Sequence, residues 1–220
     1  MITNYNVIGH DNSLKECWAL SLSSFLAGLC ISIGCIVNLM VGGGIPGAIL
    51  FTFGLITVVH YRYALYTGTA GFISDWKDLF ILFWFIFCGN FVGCLITAEI
   101  SSYAIPELVE KANHIMELRS QVDIWQAMIR GIFCGFLMTT AVKFARENKW
   151  LPLIFAVPVF ILAGFYHSIA DAFYLTCSDY SNYRYVHTFE IGPQIHANYW
   201  MTVVGNFIGC NLYRLKFIDK

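Results

Sequence analysis

Charged residues are scarce in this sequence. Its 220 residues include 13 lysines and arginines and 14 aspartates and glutamates, which together make 12% of the chain. Hydrophobic residues make 58%, and the mean hydropathy is +0.63. A soluble domain carries about 25% charged residues, so the composition excludes that class. It predicts an integral membrane protein with a single domain over residues 1–220.

Several features that would indicate other chemistry are also missing. The net charge of −1 leaves no basic stripe for phosphates, so we expect no nucleic-acid partner. The eight cysteines form no CxxC and lie mostly in apolar runs, which predicts no disulfide framework, no metal site and no cofactor. The first sixteen residues are polar and lack the basic-then-apolar order of a cleavable signal peptide.

Six apolar segments follow one another along the chain. A membrane-spanning helix needs about 20 mostly apolar residues, and the segments cover residues 17–40, 48–69, 79–98, 124–142, 151–176 and 197–212. Polar residues interrupt the second segment near His60 and Arg62 and the fifth at His167. A mixed polar connector, residues 101–123, joins the third and fourth segments. We therefore predict an all-α fold of six transmembrane helices, two of them broken.

The fifth segment carries its polar cluster, GFYHSIAD, in the middle of the span. Ionisable groups at that depth are costly and usually serve a path, a relay or a binding site. The alternative is a structural histidine satisfied by Ser168 or a backbone carbonyl. In a membrane segment we favour a functional role for His167.

Lysines and arginines are unevenly divided among the connectors. With the N-terminus in the cytoplasm, eight lie on the inner side, and only Lys111, Arg119 and Arg184 lie on the outer side. Positive charge collects on the cytoplasmic side of membrane proteins. We therefore expect a multi-pass protein of the cell membrane with both termini in the cytoplasm.

An internal repeat relates the two halves of the chain. GNFVGC at residues 89–94 recurs as GNFIGC at residues 205–210, so the third segment resembles the sixth. An odd number of spans per repeat inverts one half relative to the other. The repeats, residues 17–98 and 124–213, then contribute one broken span each, which is the pattern of a permeation site near the midplane. Glycines in the two motifs would let helices approach closely.

Four motifs together resemble the formate/nitrite transporter family, which includes formate, nitrite and hydrosulfide channels. They are LYTG at residues 65–68, RGIFCG at 130–135, GFYHSIAD at 164–171 and the two GNxxG runs. The resemblance covers nearly the whole chain. It implies an aquaporin-like six-helix protomer that assembles as a pentamer, with one pore in each protomer.

The resemblance also assigns roles to individual residues. The implied pore and substrate residues are His167, Thr67, Leu65, Tyr66 and Arg119. The implied apolar constrictions are Phe51, Leu55 and Phe160. His167 stands for the family's pore histidine, Thr67 for a threonine in a flexible loop, and Arg119, by spacing alone, for a basic vestibule lysine.

Some positions depart from the family pattern, and they leave the substrate open. The residues that differ are Ala64, Gly135, Tyr166 and Asp171. Arg62 stands where small residues are usual. Because Arg62 and Asp171 occupy the two broken spans, we predict that they form an ion pair near the midplane, with a structural or pore-tuning role.

These residues suit a channel for small monovalent anions of weak acids, of the formate, nitrite or hydrosulfide type. A histidine and a threonine can donate hydrogen bonds to a dehydrated anion, or the histidine can pass it a proton. The partners would be the anion, the lipid bilayer and further copies of the chain. The alternative within transport is a channel for a cation or a neutral solute, which Asp171 would favour.

Two other classes deserve comparison. A redox protein could hold haem between His60 and His167, although one such pair is weak support. A membrane hydrolase could use His167 and Ser168, but adjacent helical residues point in different directions. We therefore expect no enzymatic activity.

Overall fold

The computed structural model describes residues 14–73, 75–179 and 192–217. This part of the chain is helical, without strands. The α-helices are α1 Leu14–Met40, α2 Gly44–His60, α3 Tyr66–Thr69, α4 Trp76–Ile81, α5 Cys88–Ala104, α6 Glu107–Ser120, α7 Ile124–Arg146, α8 Leu151–Leu162, α9 Ser168–Cys177 and α10 Gly192–Asn211. Short 3-10 segments cover Ala70–Phe72 and Leu212–Phe217, and a π-helical segment covers Leu82–Phe87.

All six predicted segments are helical. Among the described residues, three helices are long and apolar enough to cross a membrane, namely Lys15–Met40, Trp76–Ala104 and Ile124–Arg146. The third of the six predicted segments is one continuous run, because α4, the π-helical segment and α5 join without a break. Two shorter apolar helices, α2 and α8, belong to the second and fifth segments. The predicted breaks are thus present.

Two predicted boundaries need correction. The second segment was expected to begin at Ala48, but α2 begins at Gly44. The turn before it covers residues 41–43, and Gly42 and Gly43 have positive φ angles of 80° and 72°, which suit glycine. The polar connector contains α6, whose Leu108, Ala112 and Met116 are buried. Their spacing of four residues is a helical period that the sequence already carried.

The two GNxxG motifs bring pairs of helices into close contact. A Cβ on Gly93 of α5 would lie 2.3 Å from the Phe25 carbonyl oxygen of α1. A Cβ on Gly209 of α10 would lie 2.0 Å from the Ile132 carbonyl oxygen of α7. Real Cβ atoms do not approach so closely, so both positions require glycine. The equivalent contacts pair α1 with α5 and α7 with α10, as an internal repeat demands.

The asparagines of the same motifs hold the two chain breaks. Asn90 accepts a hydrogen bond from the Tyr66 amide at 2.8 Å and donates to the Ala64 carbonyl at 2.9 Å. Asn206 accepts from the Ser168 amide at 2.8 Å and donates to the Tyr166 carbonyl at 2.8 Å.

Each asparagine also binds the opposite long helix, Asn90 through the Ser24 carbonyl and Asn206 through the Gly131 carbonyl. Both are completely buried. Their amides satisfy the backbone groups that a broken span would otherwise leave unpaired in lipid.

Candidate functional site

His167 and Thr67 meet where the two broken spans face each other. Thr67 lies in the first turn of α3, and His167 is the residue immediately before α9. The His167 Nε2 and Thr67 Oγ1 atoms are 3.0 Å apart, and both side chains are buried. The structure therefore brings together two of the polar residues that the family resemblance assigned to the pore.

The other ring nitrogen of His167 caps α9. Its Nδ1 accepts a hydrogen bond from the Ala170 backbone amide at 3.2 Å. A nitrogen that accepts carries no proton, so the proton of the neutral ring lies on Nε2. Nε2–H can then donate to Thr67 or to a guest. A second proton on Nδ1 would break the cap.

Two aromatic rings and a leucine were expected to form constrictions, and one of those rings stacks on His167. The rings of Phe160 and His167 are stacked with centroids 5.7 Å apart, and Phe51 meets Phe160 edge-on at 5.9 Å. Phe51, Leu55 and Phe160 are all buried. They form an apolar wall, in which Phe160 of α8 lies against the His167 ring and Phe51 and Leu55 belong to α2. This placement suits a barrier to hydrated ions.

A large cavity opens on one side of the His167–Thr67 pair, and we call it the wide mouth. It measures about 440 Å³. Its charged and amide lining residues are Arg62, Lys143, Arg146, Glu147 and Asn148. Leu65, which is 2% exposed, lines its inner end. Because Leu65 lies two residues before Thr67, the wide mouth ends close to the central pair.

A second cavity of about 10 Å³, the narrow cavity, contains Asp171, one turn beyond His167 in α9. That volume holds about one water. The Arg119 Nη2 and Nε atoms donate to Asp171 Oδ1 at 3.0 and 3.2 Å. The Arg119 guanidinium also lies 3.6 Å from the centroid of the Tyr166 ring. The Tyr166 hydroxyl accepts from Arg130 at 3.1 Å, so the two arginines hold this tyrosine.

The predicted ion pair between Arg62 and Asp171 is wrong. Asp171 binds Arg119, whereas Arg62 is exposed at the wide mouth. The two cavities share no lining residue. The reason is that α2 is 17 residues long, or about 25 Å, so Arg62, beyond its end, lies away from the midplane. Arg119, which the resemblance matched to a basic vestibule lysine, is paired with Asp171, and this carboxylate balances its charge.

Tyr66 is placed differently from the other predicted pore residues. Its side chain is fully buried, and its hydroxyl donates to the Val203 carbonyl of α10 at 3.1 Å. Its ring packs against Phe83 and Phe87 in the π-helical segment. The structure gives this tyrosine a role in anchoring α3, and its backbone amide is the one that Asn90 holds.

Sequence reasoning missed the hydrogen bonds that cross between the repeats. The Cys94 thiol donates to the Ile169 carbonyl at 3.3 Å, and the Cys210 thiol donates to the Thr67 carbonyl at 3.2 Å. Each motif's last residue thus anchors the half-helix of the other repeat. The repeated cysteine at the end of GNFVGC and GNFIGC was the available signal.

The geometry does not favour the other two classes. His60 is exposed at the wide mouth, whereas His167 is buried and bound to Thr67, so the two do not face each other across a haem. The Ser168 hydroxyl is buried and makes no hydrogen bond to His167 or to any other described group. A nucleophile needs that bond to a base.

Comparisons with known proteins agree with one another. The model of the family described as formate/nitrite transporter matches residues 2–214. A formate-nitrite transporter of Entamoeba histolytica is 26% identical over 256 aligned positions, covering 97% of this chain and 70% of the relative. The uncharacterized transporter YrhG of Bacillus subtilis is 24% identical over 219 positions, covering 87% of this chain and 80% of the relative.

Two solved structures have the same fold. One, an FNT family ion channel, superposes with a TM-score of 0.81 at 17% identity and covers 92% of this chain and 90% of its own. The other, a pentameric formate channel with formate bound, gives 0.78 at 20% identity and covers 92% and 96%. The resemblance read from the sequence is confirmed. The matched proteins are channels and transporters rather than enzymes, as the sequence predicted.

Proposed function

Because the chain belongs to the formate/nitrite transporter family, we propose that it is a channel for small monovalent anions of weak acids, of the formate, nitrite or hydrosulfide type. The observation that carries this proposal is the buried His167–Thr67 pair at the facing chain breaks. It supplies hydrogen-bond donors inside an otherwise apolar passage, where a dehydrated anion needs them.

The path that we propose runs from the wide mouth past Leu65 to Thr67 and His167, and leaves through the narrow cavity. The apolar wall of Phe51, Leu55 and Phe160 excludes hydrated ions from the central part. Arg119, Asp171 and Tyr166 close the far end in this structure, with room for about one water. Conduction then requires these three side chains to separate.

We propose that His167 acts as a neutral hydrogen-bond donor. Its capped Nδ1 accepts from Ala170, so Nε2–H is the proton available to an anion. A neutral imidazole is a very weak acid and keeps that proton. Transfer of a proton to the anion would require the doubly protonated ring, which loses the cap. Proton coupling through His167 is therefore the less favoured form of the mechanism.

The alternative channel for a cation loses its main support. Asp171 was the residue that favoured it, and this carboxylate is paired with Arg119. The charged residues of the wide mouth include Arg62, Lys143 and Arg146 against Glu147, an excess of positive charge. That excess favours anions.

A proteoliposome flux assay tests the proposed function. Formate, nitrite, hydrosulfide, acetate and ammonium are compared side by side, with empty liposomes as the control. We expect flux of at least one of the small anions and none of ammonium. Ammonium flux without anion flux would contradict the proposal.

We further propose a homopentamer in the cell membrane with the wide mouth and both termini on the cytoplasmic side. The solved formate channel among the matches is pentameric. The uncharged segments that contain α1 and α5 expose Trp18, Leu22, Val92 and Ile96, which must meet lipid or a neighbouring copy. The excess of lysine and arginine on the predicted inner connectors supports the orientation.

A further inference from the structure

Arg62 occupies a backbone position that favours glycine. It follows the end of α2 with a φ of 57°, in the left-handed region. The turn is closed by hydrogen bonds from the Arg62 amide to the Val59 carbonyl at 3.2 Å and from the Tyr63 amide to the Val58 carbonyl at 2.9 Å. Helices commonly end on such a turn, and glycine is the usual residue because a Cβ is disfavoured there.

The second repeat contains the same turn with glycine in that place. After α8, Gly164 has a φ of 69°. Its amide donates to the Ile161 carbonyl at 3.1 Å, and the Phe165 amide donates to the Phe160 carbonyl at 2.9 Å. The two turns therefore match bond for bond. The chain itself shows that glycine satisfies this geometry, so the arginine is not required by the fold.

The guanidinium of Arg62 makes no ion pair or hydrogen bond with any residue that the structure describes. It is exposed at the wide mouth. A residue held in an unfavourable backbone conformation without a structural partner calls for a functional explanation. For an arginine at the mouth of a passage, that explanation is an anionic ligand.

Two further cations line the wide mouth beside Arg62. Lys143 and Arg146 lie on the last turn of α7 and are exposed. The carboxylate in the lining, Glu147, is bound by Lys149 at 2.9 Å, and that hydrogen bond lowers the pKa of the Glu147 carboxyl. Glu147 thus keeps its own cation and does not compensate Arg62.

We propose that the wide mouth is a capture site for small carboxylates, with Arg62 as its principal anion-binding residue. The planar fork of a guanidinium matches the two oxygens of a carboxylate better than an ammonium does. The cavity of about 440 Å³ admits the anion with part of its water shell. The site holds the anion before it passes Leu65. It therefore determines how tightly the anion binds in the wide mouth, and not how fast the anion moves past His167. The choice of formate as ligand rests on the proposed function.

Two substitutions at Arg62 and one control test the capture site. Arg62→Gly removes the charge and leaves the residue that the matching turn of the second repeat uses, so the variant should fold. Arg62→Lys keeps the charge but loses the fork. Lys77→Gln is the control, because Lys77 is also an exposed cation but does not line the wide mouth.

Binding is measured by saturation-transfer NMR of formate on the purified protein in detergent. We expect Arg62→Gly to weaken formate binding about tenfold, as loss of one charge-assisted hydrogen bond predicts. Arg62→Lys should lose less, and Lys77→Gln should match the parent. Affinity of the parent should fall as NaCl is raised, since the site is exposed.

Unchanged affinity in Arg62→Gly would overturn the inference. Equal losses in Arg62→Gly and Lys77→Gln would also overturn it, because the loss of any exposed cation would then have the same effect. The same variants in proteoliposomes separate this inference from the proposed function. Formate binding that depends on Arg62 without any flux would retain the capture site and reject the channel. Formate flux whose half-saturation concentration is unchanged in Arg62→Gly would reject the capture site and retain the channel.

Discussion

Removing Arg119 should lower the stability of the protein more than removing the charge of Asp171. The side chain of Asp171 is 5% exposed, and that of Arg119 is 21% exposed. Arg119→Gln therefore leaves a carboxylate in an enclosed place with room for about one water. Asp171→Asn leaves an arginine that still reaches solvent and still stacks on Tyr166.

The structure sets the size of these effects. Removing one partner of a buried pair costs about 3–5 kcal/mol. The narrow cavity has room for about one water beside the carboxylate, which places Arg119→Gln near the lower end, at about 3 kcal/mol. Asp171→Asn should cost about 1–2 kcal/mol, because the amide oxygen can still accept from Arg119. The double variant strands no charge. It should therefore be more stable than Arg119→Gln alone.

The assay is a double-mutant cycle on thermal unfolding in detergent. For a chain of this size about 1 kcal/mol corresponds to about 2–4 °C, so Arg119→Gln should lower Tm by about 6–12 °C. The exposed pair of Glu147 and Lys149 supplies the control cycle, in which we expect no measurable coupling. Additive losses at Arg119 and Asp171, or a double variant less stable than Arg119→Gln, would refute the pairing argument.

Two further predictions concern His167 and the assembly. His167→Asn and His167→Ala both remove Nε2–H and should reduce anion flux about tenfold, but only His167→Ala also loses the α9 cap, worth about 1 kcal/mol. Flux equal to the parent in both variants at every pH would show that the histidine is a packing residue. A pH dependence of flux that is present in the parent and absent from His167→Asn would instead support proton transfer by His167. Native mass spectrometry in mild detergent should give a pentamer, and a stable monomer would reject the proposed assembly.

Much of the fold could be predicted because it depends on local composition and on a repeat. The low charge content and the six apolar segments predicted the helices, and the break at His167 was placed correctly. The duplicated GNxxG motif predicted an internal repeat with close helix contacts, because close contact needs small residues wherever it occurs. Which helices pair was seen only in the structure. The amphipathic α6 was missed, although its buried residues recur with a helical period.

The partners of the charged side chains could not be predicted in the same way. Arg62 and Asp171 both belong to broken spans, and sequence position suggested that they meet. Their separation depends on the length of α2 and on the direction in which α9 runs from His167. Likewise, Arg119 reaches Asp171 because α6 packs against α9, a contact between segments 52 residues apart in the chain.

The sequence by itself therefore determined the class of protein, the helical segments and the identity of the central His167. These follow from the cost of exposing polar groups to lipid, which acts on each segment separately. Only the tertiary structure decided which cation is paired and which is free. Ion pairing requires two side chains to lie within about 4 Å, and that distance is set by how helices far apart in the chain pack. Packing of α6 against α9 brings Arg119 to Asp171, whereas the turn after α2 keeps Arg62 away from it.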